Sequence, residues 1–333
     1  MTTRTLILLL LMGLPSIART EPADGAGHAR THAEVTLLST MVANFGGVGE
    51  WGFSALVETP DGAILFDTGF KSGTVLENAR RLQVDLSGVE QVVLTHFHAD
   101  HTGGLLTLRR ALRAEHPRAL SHVFVGRGFF TQRFNSRGEP AWSPVNPEFT
   151  EPFPTPEAFR DAAEALGITF TVVDAPTTLL PGVVLSGPID RLHPEKNFSA
   201  GPMIDVDGER VADWVPESQV LGVNTTEGWV LISGCGHAGI VNASQALRSI
   251  IDQPVVMGIG GFHLFRANDE TIRWTADQLL ELGYESLVGA HCTGALPTYA
   301  IGRQLGWPND RISIGAVGTR IGGDRTIHRA SIE

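Results

Sequence analysis

Imidazole and carboxylate side chains are concentrated in one short segment, Thr95–Gly104, which reads Thr-His-Phe-His-Ala-Asp-His-Thr-Gly-Gly. Its four ligand-type residues are His96, His98, Asp100 and His101. Such groups bind Zn²⁺ at about 2.0–2.2 Å. Because four of them exceed what one tetrahedral ion with an open position requires, the segment indicates two metal ions about 3.5–4 Å apart. A polar turn rich in histidine by chance is the alternative, and the density of ligand-type residues argues against it.

Three more histidines and one aspartate stand at similar places along the chain. His237, His263 and His291 each follow an apolar run, and Asp67 ends another. Any one of these histidines alone would more often be a hydrogen-bonded structural residue. In α/β proteins, however, sites gather at the ends of strands. Their shared placement therefore predicts that they join the first cluster.

Strand-like and helix-like segments alternate from Glu34 onward. The last predicted helix has Asn268 or Asp269 as its cap and Gly283 as its stop. The predicted strands, rich in Val, Ile and Leu, are Val35–Ser39, Ser54–Glu58, Ala63–Asp67, Gln91–Thr95, Val220–Thr225, Trp229–Ser233, Pro254–Ile259 and Ser286–Ala290. The predicted helices are Gly104–Glu115, Pro156–Leu166, Asn242–Ile251 and Asp269–Leu282.

Composition excludes several classes of protein. The chain has 333 residues, of which 42% are hydrophobic and 18% charged, so it is too apolar to be disordered and long enough for a sizeable core. Two Cys cannot form a disulfide framework. The net charge is −11, from 25 basic and 36 acidic residues, and no basic run is present. We therefore expect no nucleic-acid partner.

The first residues are typical of a targeting segment. A basic start precedes the apolar run Leu6–Leu14 and a small-x-small end at Ser16 and Ala18, which predicts a signal peptide over residues 1–18. An uncleaved anchor or a buried helix is the alternative. The run is short for a membrane span, so we expect no stable span after processing and a periplasmic or secreted protein. Residues 19–33 are predicted to be a flexible linker, and residues 34–333 a catalytic domain.

A segment rich in proline and aromatic residues, at about 129–156, is predicted to be an insertion in that domain. Two interpretations remain open. It could be a surface loop with a few buried anchors, or a lid over a pocket, since long ordered loops often carry function.

The ligand pattern resembles that of the metallo-β-lactamase fold from about Val35 to about Ile321. The matching features are His-x-His-x-Asp-His at 96–101, a later Gly-His, a late His and an upstream Asp-Thr-Gly. Four shorter pieces resemble one branch, which is named for 7,8-dihydropterin-6-yl-methyl-4-(β-D-ribofuranosyl)aminobenzene-5′-phosphate synthase. These pieces are Gly-Glu-Trp-Gly-Phe-Ser at 49–54, Ser-Gly-Cys-Gly-His-Ala-Gly-Ile-Val-Asn at 233–242, Gly-Gly-Phe-His-Leu at 260–264 and His-Cys-Thr-Gly at 291–294.

The resemblance implies an α/β (α+β) fold, a four-layer αβ/βα sandwich with two sheets face to face and helices outside. It implies two neighbouring metal sites, with Asp67 orienting a ligand imidazole. The first site would use His96, His98 and His237, and the second Asp100, His101 and His291. We expect one or two zinc ions, with Fe or Mn as alternatives because imidazole and carboxylate bind them as well.

One departure from the family pattern concerns the metal bridge. Dinuclear hydrolases of this fold usually place a bridging Asp where this chain has Gly260-Gly261-Phe262-His263, which contains no carboxylate. His263 could be a ligand, a substrate contact or a general acid/base. With Asp100, it is our candidate catalytic group.

Cys235 and Cys292 each lie within two residues of a proposed ligand. Thiolate can bind zinc directly, the two residues could form a disulfide in an exported protein, or they could simply pack the loops. The last interpretation is the simplest.

These features favour a metal-dependent hydrolase acting on a small molecule through a metal-bound hydroxide, whose pKa a cation brings toward about 7. The branch name implies a transferase instead, in which the metals would bind phosphate. The signal peptide favours the hydrolase because pterin biosynthesis is cytoplasmic. A metal-binding protein without turnover is the alternative from another class. The expected partner is a small-molecule substrate, and a homodimer is compatible with the sequence.

Overall fold

Two facing β-sheets occupy the centre of the computed structural model, which describes residues 28–140, 153–195 and 201–330. In chain order the strands are β1 (Glu34–Ser39), β2 (Ser54–Thr59), β3 (Gly62–Phe66), β4 (Gln91–Leu94), β5 (His122–Gly126), β6 (Arg133–Phe134), β7 (Thr169–Val173), β8 (Thr177–Leu180), β9 (Val183–Leu185), β10 (Met203–Val206), β11 (Glu209–Ala212), β12 (Leu221–Asn224), β13 (Trp229–Ser233), β14 (Val255–Gly260), β15 (Ser286–Gly289), β16 (Ile312–Ser313), β17 (Arg320–Ile321) and β18 (Ile327–His328).

The α-helices are α1 (Thr74–Leu82), α2 (Ala99–Thr102), α3 (Leu105–Leu112), α4 (Pro156–Glu164), α5 (Ile240–Ile250), α6 (Asp269–Leu282) and α7 (Ala295–Gln304). Two 3₁₀ turns cover His291–Thr293 and Asn309–Arg311. The first sheet has the order β18-β17-β1-β2-β3-β4-β5-β7, and the second β16-β15-β14-β13-β12-β9-β8. A small third sheet, β11-β10-β6, lies apart from both in the described residues.

Both faces of each large sheet are buried, because side chains alternate between two apolar layers. In β3, Ile64 and Phe66 pack between the sheets, whereas Leu65 packs beneath the helices α1, α3 and α4. In β13, Ile232 faces the first sheet and Leu231 faces α5, α6 and α7. The layers therefore run helix, sheet, sheet, helix, which confirms the predicted four-layer αβ/βα sandwich.

Parallel pairing in both sheets directs the site loops to one edge. β3, β4, β5 and β7 are mutually parallel neighbours, as are β13, β14, β15 and β16. The carboxyl ends of parallel neighbours meet at the same edge of a sheet, where α/β proteins place their sites.

The eight predicted strands are all present, with ends that shift by at most one residue. Helix α6 has its predicted bounds, with Asn268 Oδ1 accepting from Thr271 N at 2.8 Å and Gly283 in the left-handed conformation (φ 93°). The other predicted helices differ at their ends; α3, for example, is shorter than Gly104–Glu115. Helices α1 and α7 and the third sheet were not predicted.

The predicted signal peptide and residues 19–27 of the predicted linker lie outside the described residues. Residues 28–33 form hydrogen bonds with strand β12: Thr31 N donates to Asn224 O, and Asn224 Nδ2 donates to Ala29 O, both at 2.9 Å. Of the predicted insertion, residues 141–152 lie outside the described part, and β6 within it pairs with β10. In the described chain, every helix is too short or too polar to cross a membrane.

Candidate metal centre

The loops that follow five parallel strands bring the predicted site residues together. Asp67 follows β3. His96 and His98 lie in the loop after β4, and Asp100 and His101 lie in the short helix α2 that follows this loop. The remaining histidines follow β13, β14 and β15 of the second sheet: His237, His263 and His291. The site therefore lies where the edges of the two sheets meet.

Three imidazoles converge on one point. His98 Nδ1 lies 2.8 Å from His96 Nε2 and 3.2 Å from His237 Nε2. His96 and His237 are buried. Three ring nitrogens at such distances form the donor set that a nitrogen-coordinated metal ion needs.

The carboxylate of Asp67 fixes the tautomers of two of the site histidines. The Thr95 hydroxyl donates to Asp67 Oδ2 (2.8 Å) and can accept from His96 Nδ1 (3.0 Å). His101 Nδ1 donates to the same carboxylate oxygen at 2.7 Å. The Nε2 lone pairs of His96 and His101 are therefore directed into the cluster, as the second coordination sphere of a metal requires.

A second group contains one carboxylate and two imidazoles. Asp100 Oδ2 lies 3.3 Å from His291 Nε2 and 3.6 Å from His101 Nε2. His101 Nε2 is buried and has no hydrogen-bond partner in the described residues. Leaving a buried polar nitrogen unsatisfied costs free energy, and a metal ion is a partner that would remove this cost.

Burial and repulsion from neighbouring histidines keep the imidazoles of His96 and His98 neutral. Burial, reinforced by the surrounding histidines, lowers the pKa of His96 well below its usual range, and burial lowers the pKa of His98 to about 4. Burial acts to raise the pKa of Asp100, but His101 and His291 outweigh it and the pKa is lowered. Neutral imidazole and ionised carboxylate are the forms that bind a metal.

The two cysteines and His263 form a third cluster next to these groups. Cys235 Sγ lies 3.0 Å from Cys292 Sγ and 3.2 Å from His263 Nδ1. Both cysteines are buried and neither is in a disulfide. Burial raises the pKa of the Cys235 thiol.

Three residues of the site have a left-handed backbone conformation that side chains other than Gly rarely adopt: Asp67 (φ 57°), His263 (φ 51°) and His291 (φ 45°). Such conformations persist only where the surrounding structure enforces them, and they are concentrated at functional sites. Tight loops at the strand ends therefore impose the orientation of these side chains.

Two residues of the Gly-Glu-Trp-Gly-Phe-Ser motif, Glu50 and Trp51, contact the site, and the sequence had given neither a role. Buried Glu50 accepts hydrogen bonds from Ser39 Oγ (2.7 Å), Phe70 N (3.0 Å) and Lys71 N (2.8 Å). It therefore anchors the loop that follows Asp67. Trp51 packs edge-on against the ring of His291, with centroids 5.2 Å apart.

A buried ion-pair network contacts Phe97, which lies in the loop between His96 and His98. Arg133 contacts Asp213 (3.3 Å) and Glu217 (2.6 Å) and lies 3.8 Å above the Phe97 ring. Phe97 N in turn donates to Glu217. These residues were not predicted, because their contacts join positions that are far apart in the sequence.

Residues of the candidate metal centre line a cavity of about 350 Å³. His98, Asp100, Cys235, His237 and His263 all line it. The rest of the lining is largely aromatic or apolar, with Asp213 and Arg266 as its charged residues; the others are Trp51, Phe70, Ala99, Pro202, Val215 and Phe265. A substrate in this cavity would meet the polar cluster.

The donor set fits one or two divalent metal ions. Ligand atoms lie within 4.8 Å of one another in each of several groups: His96 with Asp100 and His101, His96 with Cys235 and His237, and His101 with Cys235 and His291. The structure thus brings together all six predicted ligands and Asp67, while their coordination of a metal stays a prediction.

The two facing sheets and this cluster of ligand-type residues define a protein of the metallo-β-lactamase class. The model of the metallo-beta-lactamase superfamily matches residues 52–241. The chain belongs to this superfamily.

Two archaeal relatives come from Methanocaldococcus jannaschii. One, named 7,8-dihydropterin-6-methyl-4-(beta-D-ribofuranosyl)-aminobenzene-5'-phosphate synthase, is 30% identical over 253 residues, which cover 73% of this chain and 81% of the relative. The other is an uncharacterized protein, 27% identical, with 73% and 84% of the two chains covered.

Two solved structures share the fold. Tm1679, described as a metal-dependent hydrolase of the beta-lactamase superfamily, superposes with a TM-score of 0.66 at 26% identity, covering 87% of this chain and 98% of Tm1679. YhfI from Bacillus subtilis superposes with a TM-score of 0.51 at 12% identity, covering 86% and 98%.

Proposed function

We propose that this protein is a metal-dependent hydrolase of a small molecule. The observation that carries the proposal is the convergence of imidazole and carboxylate ligands at a cavity of about 350 Å³. That volume is in the range of small-molecule sites. The likeness to Tm1679, described as a metal-dependent hydrolase, adds support.

The cavity walls favour a substrate with a flat or apolar part and a negative charge. Trp51 and Phe265 meet edge to face, with centroids 5.2 Å apart, beside the metal cluster. Arg266 is exposed at the same cavity and would attract an anionic group. A phosphate ester carried on a ring system meets both requirements, and an ester or lactone on a ring system meets them when it also bears an anionic group.

Ions held by the two ligand groups would supply Lewis acidity and lower the pKa of a bound water. The chain itself contributes orientation. Asp67 holds His101, and through Thr95 it holds His96, so that neither ring can turn away. His263 uses Nδ1 toward Cys235, which leaves its Nε2 as the ring atom that can exchange a proton with a substrate in the cavity.

Hydrolysis of a panel of aryl esters, lactones and phosphate esters by the zinc-loaded protein tests the proposal. We expect turnover of at least one class, and we expect its loss in His98→Ala together with metal content. The matched control is His328→Ala, because His328 is an exposed histidine on β18. Absence of turnover across the panel, or full turnover and full metal in His98→Ala, would contradict the proposal.

A transferase of the dihydropterin type is the second candidate. It is favoured by the 30% identity with the archaeal synthase and by the aromatic walls of the cavity. Incubation with a phosphorylated dihydropterin donor and a ribofuranosyl-aminobenzene 5'-phosphate distinguishes the two reactions. Appearance of the coupled product, without hydrolysis of the panel, would support the transferase.

A further inference from the structure

The family's bridging carboxylate has no counterpart in the loop after β14, since Gly260–His263 offers no acidic side chain. Two cations about 3.5–4 Å apart repel one another, and an anionic ligand between them offsets that repulsion. A protein side chain other than a carboxylate of this loop could supply that negative charge.

A sulfur atom stands beside both ligand groups. Cys235 Sγ lies within 4.8 Å of the ligand nitrogens of His96 and His237, and it also lies within 4.8 Å of those of His101 and His291. The first pair belongs to one proposed site and the second pair to the other. Among the described residues, Cys292 shares such a group with Cys235 and His263 and with neither histidine pair.

The surroundings of Cys235 hold its sulfur in this position. Gly236 turns the chain with a positive φ of 64°, and the Cys235 side chain is buried. His263 Nδ1 lies 3.2 Å from the sulfur and can donate to it, and the Cys292 thiol donates to Cys235 O. These contacts fix the position of the sulfur beside both ligand groups.

We propose that the Cys235 thiolate is a shared ligand of both metal ions, in place of the family's bridging carboxylate. A coordinated thiol loses its proton outright, and thiolate is among the preferred ligands of zinc. Each ion would then have four protein ligands, and water or a substrate would bind by expansion to five-coordinate geometry, which zinc accommodates. The inference depends on the metal centre of the proposed function and not on the reaction catalysed.

Cobalt spectroscopy tests the inference without any substrate. The apoprotein is loaded with Co²⁺, and thiolate-to-cobalt charge-transfer absorption is recorded in the near ultraviolet. We expect this band in the unaltered protein with about two equivalents of cobalt bound. Cys235→Ser should lose the band and bind cobalt at least roughly 10–100-fold more weakly at both sites, because each ion loses the same ligand.

The matched control is Cys292→Ser, which removes the neighbouring thiol and should keep the band. Far-ultraviolet circular dichroism checks that both variants are folded. A band that persists in Cys235→Ser, a band lost in Cys292→Ser instead, or no band in the cobalt-loaded unaltered protein would each overturn the inference. A protein that shows the Cys235-dependent band but hydrolyses nothing would refute the hydrolase alone.

Discussion

At the scale of single residues, the site requires a glycine where two loops lie very close together. Gly234 follows β13 at the point where the second sheet meets the Asp67 carboxylate. A Cβ atom there would lie 2.1 Å from Asp67 Oδ2 and 2.4 Å from Thr95 Oγ1. Real Cβ atoms do not approach so closely, so a residue with a side chain would displace the carboxylate that holds His101.

We expect Gly234→Ala to disrupt the metal centre. The clash should cost about 2–4 kcal/mol of the free energy of unfolding, and it should lower the metal content because the rings of His96 and His101 lose their support. Urea unfolding and metal analysis check both effects. Gly73→Ala is the control, since a Cβ there meets nothing within 4 Å; equal losses in the two variants would contradict the explanation.

Glu50 is expected to act as a positioning residue. Glu50→Ala removes the acceptor for Phe70 N and Lys71 N, which frees the loop after Asp67. Metal affinity should fall about 10–100-fold, as measured by competition with a chelating dye. Glu58→Ala, at an exposed position of β2, should leave the affinity unchanged. Unaltered affinity in Glu50→Ala would separate this loop from the metal centre.

Whether each of these residues could be predicted depends on how far apart in the sequence its contacts lie. The cluster around His96 could be predicted because its ligands are close in sequence and their types have few other uses. Glu50 could not, because a carboxylate that accepts backbone N–H groups 20 residues away leaves no local pattern. The sequence left zinc binding by Cys235 open, but its proposed position between two ligand groups depends on four histidines that the fold brings together.

At the scale of elements, helix α5 begins immediately after the His237 loop and is capped from a distant segment. Glu195 accepts from Val241 N (3.2 Å) and Asn242 N (2.9 Å). Burial raises the pKa of Glu195 to about 7, against the opposing effect of these hydrogen bonds. A helix N-terminus usually favours the ionised form of a nearby carboxylate. For Glu195 the loss of solvation on burial outweighs this effect.

This shift predicts a pH-dependent stability. The pKa of Glu195 is higher in the folded than in the unfolded protein. Its contribution to the free energy of unfolding is therefore complete below about pH 4.5 and is lost as the pH rises through about 7. Replacement by glutamine should reduce the fall in unfolding free energy across this window by up to about 3 kcal/mol. Urea unfolding at several pH values measures it.

The control for this effect is Glu157→Gln, since Glu157 is an exposed glutamate in the first turn of helix α4. It should retain the pH dependence of the unaltered protein. Identical pH profiles for Glu195→Gln and the unaltered protein would show that Glu195 does not titrate in this range.

The elements themselves were predicted where their pattern is strong. Buried strands such as β13 and β14 are apolar throughout, which is typical of parallel strands. Helix α7 was missed because Pro297 and Gly302 are residues that usually break helices, although Pro297 lies in the first turn, where it is tolerated. The hairpin of β10 and β11 turns at Asp207-Gly208. Asp-Gly is a dipeptide typical of two-residue hairpin turns, although the sequence analysis predicted no hairpin there.

At the scale of the whole molecule, the candidate metal centre joins the two sheets. His96, His98, Asp100 and His101 follow a strand of the first sheet, whereas His237 and His291 follow strands of the second. The apolar layer between the sheets also joins them, as do hydrogen bonds such as that from Gln219 Nε2 to Leu94 O. Metal ions would therefore link the two halves of the sandwich at its edge, and their binding energy would add to the stability of the fold.

Removal of the metal is accordingly expected to destabilise the entire sandwich and not only the loops. A ligand present at about 1,000 times its Kd stabilises the folded state by about 4 kcal/mol. In a chain of this size that corresponds to a fall in Tm of roughly 6 °C after chelation. Differential scanning calorimetry before chelation, after it, and after zinc is restored measures the change. In His98→Ala the Tm should respond little to chelator or zinc. If the Tm of the unaltered protein stayed constant while its measured metal content fell, the metal would not join the two sheets, because an ion bound by ligands from both sheets cannot leave without weakening the contact between them.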